Sequence, residues 1–123
     1  TVDRLSATVR PAAEDQLRAG GIYVHRWFTV EASRADDFVD LSGRFWQGGF
    51  EASAETQVFG LFKAERTAAD GPNARLLLMT WYASHTDWDT SRTQTPEAAA
   101  ILRQRSALTL DTRGVSTRVS PLA

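Results

Sequence analysis

Residues 74–92, ARLLLMTWYASHTDWDTSR, decide the fold, because a strand there runs directly into a helix. Leu76, Leu77, Leu78 and Met79 form an apolar run that ends in Thr80-Trp81-Tyr82. It is far shorter than the ~20 residues a membrane span needs. A short apolar run closed by aromatic residues is the pattern of a buried strand. Ser84 then stands as an N-cap, with Asp87 three residues on to complete a capping box. Past the cap, His85, Trp88 and Arg92 fall at i, i+3 and i+7 and share one face of the helix. A polar-aromatic stripe beside the carboxyl end of a buried strand is where a site is expected.

The chain on either side completes a sheet. Upstream, residues 65–73, ERTAADGPN, are a turn, and they join this strand to residues 57–64, QVFGLFKA, in a predicted hairpin. Gly60, in the middle of QVFGLFKA, marks a bulge or the close approach of another backbone. Earlier still, IYVHRWFTV over 22–30 alternates, with Ile22, Val24, Arg26, Phe28 and Val30 on one face and Tyr23, His25, Trp27 and Thr29 on the other. Both faces are largely non-aqueous, which predicts an internal strand covered on both sides. A helix opens on a second capping box, Ser33 and Asp36, and runs through Phe38, Val39, Ser42, Phe45 and Trp46 to Gly48-Gly49. Downstream, Thr95-Pro96-Glu97 starts a further helical segment lined on one side by Ile101, Leu102, Arg105 and Leu108. Residues 111–119, DTRGVSTRV, then alternate as a last, more polar strand. The order is βαββαβ, an α+β, ferredoxin-like domain over residues 21–123. Residues 1–20 carry weaker signals, a short helix over AAEDQLRA stopped by Gly20-Gly21, and are expected to be an N-terminal surface extension.

Composition narrows the function classes. With 123 residues the chain holds one core. A net charge of −1, with no segment that concentrates Lys and Arg, gives no field for nucleic acid. No segment is apolar enough to enter a membrane as a helix. There is no cysteine, hence no disulfide, thiolate metal site or cysteine nucleophile. The opening TVDRLSATVR lacks the apolar core of a signal peptide, so a cytoplasmic location is expected.

The candidate chemistry rests on few residues. His85 is the best acid or base by residue type, and a helix start favours its neutral form. The competing role is a surface histidine in a first turn. His25 lies between Tyr23 and Trp27, either lining a pocket or buried for structure. Arg26, on an apolar face, needs a partner, because an unpaired buried charge is costly. That partner is a structural carboxylate or the anionic end of a ligand. Trp27, Trp46, Trp81 and Trp88 are either core and interface anchors or the walls of a flat pocket for an aromatic substrate, with Tyr82 or His85 as its polar handle. No spacing of His and Glu suits a metal, and neither a phosphate loop nor a nucleophile elbow occurs.

Several of these residues resemble NIPSNAP-type domains: Ile22, Tyr23, Arg26, Phe28 and Thr29-Val30 on the first strand, Gly60-Leu61-Phe62 on the second, and Asn73 ahead of the third. Tyr82, Ser84, Asp87 and Arg92 at the strand-to-helix junction fit as well, while Trp88 stands where that family more usually has Arg. The resemblance spans roughly residues 21–119. It implies the dimeric α+β barrel superfamily, in which the sheet of one copy packs on that of a second. That group includes antibiotic-biosynthesis monooxygenases, haem-degrading monooxygenases and polyketide cyclases. The haem-degrading members carry a histidine iron ligand on the second helix, and residues 96–108 have none. The expectation is therefore a homodimeric small-molecule enzyme acting on an aromatic or polyketide-like compound without metal or organic cofactor. Oxygenation ranks first, with His85 as the base, Arg26 or Arg92 holding the substrate anion, and Tyr23, His25, Trp27, Trp46, Trp81, Tyr82 and Trp88 around the substrate. Non-oxidative acid–base chemistry, as in a cyclase or isomerase, and a non-catalytic dimeric ligand-binding module are the alternatives.

Overall fold

The computed structural model describes residues 4–8, 10–11, 20–46, 56–84, 86 and 96–117. The alternating stretch becomes β2 (Ile22–Glu31), and the apolar run becomes β4 (Asn73–Tyr82). The two pair antiparallel along their whole length, Ile22 opposite Tyr82 and Glu31 opposite Asn73. β3 (Thr56–Ala64) forms the predicted hairpin with β4, and β5 (Thr109–Thr117) lies on the other side of β2. Outside β3 sits a short β1 (Leu5–Ala7), which pairs Leu5 with Ala64 and Ala7 with Phe62. The sheet order is β1-β3-β4-β2-β5. Without β1, this is the split βαβ arrangement that the βαββαβ order predicts. β2 is internal, as its two apolar faces demand.

β1 escapes a pattern reading because three exposed residues show no alternation. Its backbone pairing is extended by Thr8 N–H donating to the Leu61 carbonyl at 3.1 Å and Leu61 N–H donating to the Arg10 carbonyl at 3.2 Å, and the Thr8 hydroxyl donates to the same Leu61 carbonyl at 2.7 Å. The segment AAEDQLRA lies outside the described residues, as do Gly48-Gly49 and residues 87–95.

Among the described residues, the helices α1 (Ala35–Phe45) and α2 (Pro96–Leu108) pack on one face of the sheet. The core between them and the sheet holds Phe28, Val30, Val58, Leu61, Ala74 and Leu76 from strands, and Phe38, Phe45 and Ala98 from helices. Phe38 is fully buried, its ring tilted against Phe28 at 4.8 Å between centroids. The Ser33–Asp36 capping box does not form. Residues Ala32–Arg34 make a 3-10 turn first, α1 begins one residue later than the capping pattern places it, and neither start has a side-chain cap. The ion pair of Arg34 Nε with Asp37 Oδ2 at 2.7 Å, and acidic residues in the first turn, support that end instead. A true capping box occurs in the β3–β4 turn, where Thr67 and Asp70 satisfy each other's backbone N–H groups.

Gly60 shows why a glycine stands inside β3. The β3–β4 register shifts between Val58 and Gly60, and a Cβ there would come within 2.7 Å of the Pro11 ring. The bulge is also where the N-terminal segment presses on the sheet.

Phe38→Ala leaves a cavity between α1 and β2 that rigid strands cannot close. It should cost ~3–5 kcal/mol of unfolding free energy, measured by urea denaturation.

Candidate functional site

Because β2 is a regular strand, its side chains alternate, and the residues the sequence groups around one site divide between two faces. Arg26 points to the helix layer. On that side Tyr82 packs with Ile22 and Val24 in a small buried cluster, and Trp46, 2 % exposed, closes the main core at the end of α1. The Arg10 guanidinium lies over the Trp46 ring at 5.4 Å and donates to the Val58 carbonyl at 3.1 Å. Tyr23, His25 and Trp27 point the opposite way, opposite Trp81, Met79 and Leu77 on β4. His85, Trp88 and Arg92 lie outside the described residues.

On the helix side, two guanidinium groups dominate. Arg26 is half-buried, donates from Nη1 to Thr112 Oγ1 at 3.3 Å, and lies over β5 where Gly114 leaves room: a Cβ there would meet its Nη2 at 2.7 Å. Arg105 descends from α2 into the wedge between α1 and the sheet. Its Cζ lies 4.9 Å from the Phe28 ring centroid, 5.5 Å from Phe38 and 5.9 Å from Phe45, and its Nη1 donates to Ser42 Oγ at 3.3 Å. Burial, and secondarily the charge of Arg26, lower the Arg105 pKa to about 10, so the group is still a cation at neutral pH. Among the described residues no carboxylate pairs with either guanidinium. The π faces recover part of the cost of desolvating Arg105 but supply no negative charge.

The sequence reading singles out Arg26 for an anion and places Arg105 on the inner side of its helix without a role. The signal for Arg105 is a cation in line with Ile101, Leu102 and Leu108, where a strictly structural helix face carries a hydrophobe.

The other face is aromatic. Tyr23, 1 % exposed, meets Phe59 edge-on at 6.4 Å, Phe59 lies 6.4 Å from Phe62, and Trp81 donates from Nε1 to the Gly20 carbonyl at 3.1 Å. His25, Trp27, Met79 and Trp81 are half-buried here, and neither α1 nor α2 covers them. Burial lowers the His25 pKa, which keeps this imidazole neutral near pH 7. At the turn end, Trp27, Thr29, Arg75, Asp111 and Arg113 line a cavity of about 170 Å³. Arg75 lies over the Trp27 ring at 5.6 Å and is tied at 2.8 Å to Asp70, whose carboxyl is held below its ordinary range first of all by the Thr67 N–H. No group of three or more His, Asp or Glu side chains among the described residues is placed to hold a metal ion, and no helix among them is long and apolar enough to cross a membrane.

No protein-family model and no curated protein sequence matches the chain. Solved structures do. A NIPSNAP family protein from Agrobacterium tumefaciens superposes with a TM-score of 0.66 at 14 % identity, over 96 % of this chain and 97 % of its own. A NIPSNAP domain protein from Burkholderia xenovorans gives 0.65 at 10 % identity, over 83 % and 97 %. SnoaB, a cofactor-independent oxygenase from Streptomyces nogalater, gives 0.57 at 16 % identity, over 82 % and 94 %. The chain thus has the fold of these NIPSNAP and oxygenase structures, as its motifs suggest.

His25 makes a pH prediction. Its folded-state pKa lies below the value of 6.5 that an unfolded chain keeps, so the unfolded state binds the extra proton first. The stability this contributes is complete above pH ~6.5 and is lost as pH falls below it. Between about pH 7 and pH 5 the parent's Tm should fall more steeply than that of His25→Gln, measured by thermal melts in matched buffers.

Proposed function

We propose that the chain is a small-molecule enzyme that binds an electron-rich aromatic or polyketide-like compound as its anion and oxygenates it without a metal or organic cofactor. The observation that carries this reading is Arg26: a half-buried cation on the helix side of the sheet, with no carboxylate partner among the described residues. A structural role for Arg26 would call for a carboxylate beside it. A substrate anion supplies the missing charge and is stabilised by it as it forms. The fold shared with SnoaB, a cofactor-independent oxygenase, supports the reaction class but does not supply the residues.

The chemistry needs a base first. Removing a proton from a hydroxyarene, or from a carbon beside a carbonyl, raises the electron density of the substrate enough to reduce dioxygen directly. The substrate itself then supplies the electrons. His85 is the base in this reading, Arg26 or Arg92 holds the anion, and Trp88 helps to exclude water. Acid–base chemistry without dioxygen, as in a cyclase or isomerase, uses the same base and the same cation, and oxygen uptake separates the two.

We propose further that the chain works as a homodimer. The sheet face that carries His25, Trp27, Phe62, Met79 and Trp81 is covered by neither α1 nor α2 among the described residues, and aromatic faces of that extent are rarely left to solvent. A second copy's sheet, packed at ~10 Å, would cover it.

Oxygen-electrode traces with a panel of electron-rich phenols and anthrone-type ketones should show enzyme-dependent uptake. His85→Ala should cut it by roughly 100-fold or more, with an unchanged Tm. Turnover of the same compounds without oxygen uptake would select the acid–base alternative, and failure of every compound to turn over or to shift the Tm would end the enzyme reading. For the dimer, sedimentation at micromolar concentration should give twice the chain mass, and a well-folded monomer would refute it.

A further inference from the structure

The arginines of this molecule differ in whether a carboxylate answers their charge. Among the described residues four have carboxylates: exposed Arg34 with Asp37 at 2.7 Å, Arg44 with Asp40 at 3.6 Å and Arg4 with Glu65 at 3.8 Å, and half-buried Arg75 with Asp70 at 2.8 Å. The two that line the helix–sheet wedge have none among the described residues. Among the described residues the Arg26 guanidinium has one hydrogen bond, to Thr112, and that of Arg105 one, to Ser42, out of the five N–H donors that each carries. Burial makes an unmatched charge more costly, so a purely structural interior would place a hydrophobe at 105, on a helix whose neighbours Ile101, Leu102 and Leu108 already serve the core. The two cations also repel each other, which is felt in the lowered pKa of Arg105. Gly114 completes the arrangement, since any larger residue would push Arg26 off β5.

We propose that Arg26 and Arg105 form the two arms of one oxyanion seat, and that the ligand enters it with a carboxylate already ionised. This rests on the helix-side site proposed above and adds to it the charge its ligand carries before reaction. Two guanidiniums present more positive charge than a phenol can balance before it loses its proton, whereas a carboxylate arrives charged and accepts paired N–H donors from planar guanidinium forks. Filling the seat also neutralises the one charged residue on the inner side of α2. The helix should therefore dock more firmly when the seat is occupied, because Ala98 is the one residue of α2 that is buried.

Benzoate and its neutral isostere benzamide are the probes, read by thermal shift and by calorimetry on the full chain. Benzoate should raise the Tm saturably and benzamide should not. Arg105→Lys, which keeps the charge but loses the fork, should weaken benzoate at least tenfold, and Arg26→Gln should do the same. Arg105→Met should abolish the benzoate shift while melting at or above the ligand-free parent's temperature, since it removes a buried, unmatched cation. Equal shifts with benzamide, or an Arg105→Met protein that keeps the benzoate shift, would overturn the seat; so would benzoate affinity unchanged in both Arg105→Lys and Arg26→Gln. The outcome is independent of the reaction class: benzoate binding through both arginines without oxygen uptake by any phenol would leave the seat and remove the oxygenase. Uptake that survives Arg105→Met would do the reverse.

Discussion

Strand alternation imposes the constraint from which the rest of the molecule follows. β2 is hydrogen-bonded on both edges, to β4 and to β5, so it cannot rotate to bring neighbouring side chains together. His25 and Arg26, adjacent in sequence, are thereby fixed on opposite faces of the sheet. A base and an anion holder drawn from those two residues could never meet across one substrate. The helix face receives Arg26, Arg105 and the buried aromatic core; the opposite face receives the neutral imidazole and an aromatic surface that neither α1 nor α2 covers. Each face has a coherent chemistry, and it is the strand that keeps them separate.

The energetics of the helix face follow from what surrounds Arg105. Three phenylalanine rings offer it quadrupole attraction and apolar contact for its stem, but they also keep water away. A hydroxyl from Ser42 satisfies one N–H and contributes no charge. By contrast, Arg75 combines a ring beneath it, Trp27, with a carboxylate beside it, Asp70, and Asp70 is itself fixed by the turn. The chain is thus able to build a complete cation site at one end of the sheet, whereas the described residues leave the one beneath α2 without an anion. That difference, between two arginines stacked on aromatic rings in one small domain, argues for a ligand more strongly than either residue does alone.

Much of the fold was legible because it depends on periodicity. The two-sided apolar alternation of residues 22–30 marks an internal strand, the four apolar residues from Leu76 mark its neighbour, and Asp70-Gly71 marks the turn that makes β3 and β4 a hairpin. Gly60 announced its bulge for the same reason: a residue without a side chain in a strand has a local cause. β1 was not legible, because three residues held by backbone hydrogen bonds leave no side-chain pattern. The entry to α1 differs from its sequence signal by a residue: Ser33 and Asp36 have capping chemistry, yet the chain enters the helix through a 3-10 turn in which Ser33 is not the cap. At the site, Arg26 was legible as a charge on an apolar face. Arg105 was seen only as one of four residues on a helix face, since spacing tells which way a residue points and not what stands opposite. The division of Tyr23, His25, Trp27 and Trp81 from Arg26, Trp46 and Tyr82 was already implicit in the alternation, and grouping them around one substrate overrode it.

Register is what makes both faces vulnerable to the same error. A slip of β2 by one residue against β4 and β5 would send Arg26 to the aromatic face and His25 into the core, and would lose the phenylalanine wedge with it. The bulge at Gly60, with the Pro11 ring against it, pins β3 to β4; the irregularity between Thr29 and Val30 pins β2 to β5 at the opposite end. Gly114 adds a chemical check, since only in this register does the residue across from Arg26 lack a side chain. The hydrophobic pattern alone would tolerate a slip poorly but not forbid it, because β2 is apolar on both faces. In a strand of that kind, bulges and close-contact glycines carry the specification that polarity supplies elsewhere, and the two chemistries of the sheet depend on them.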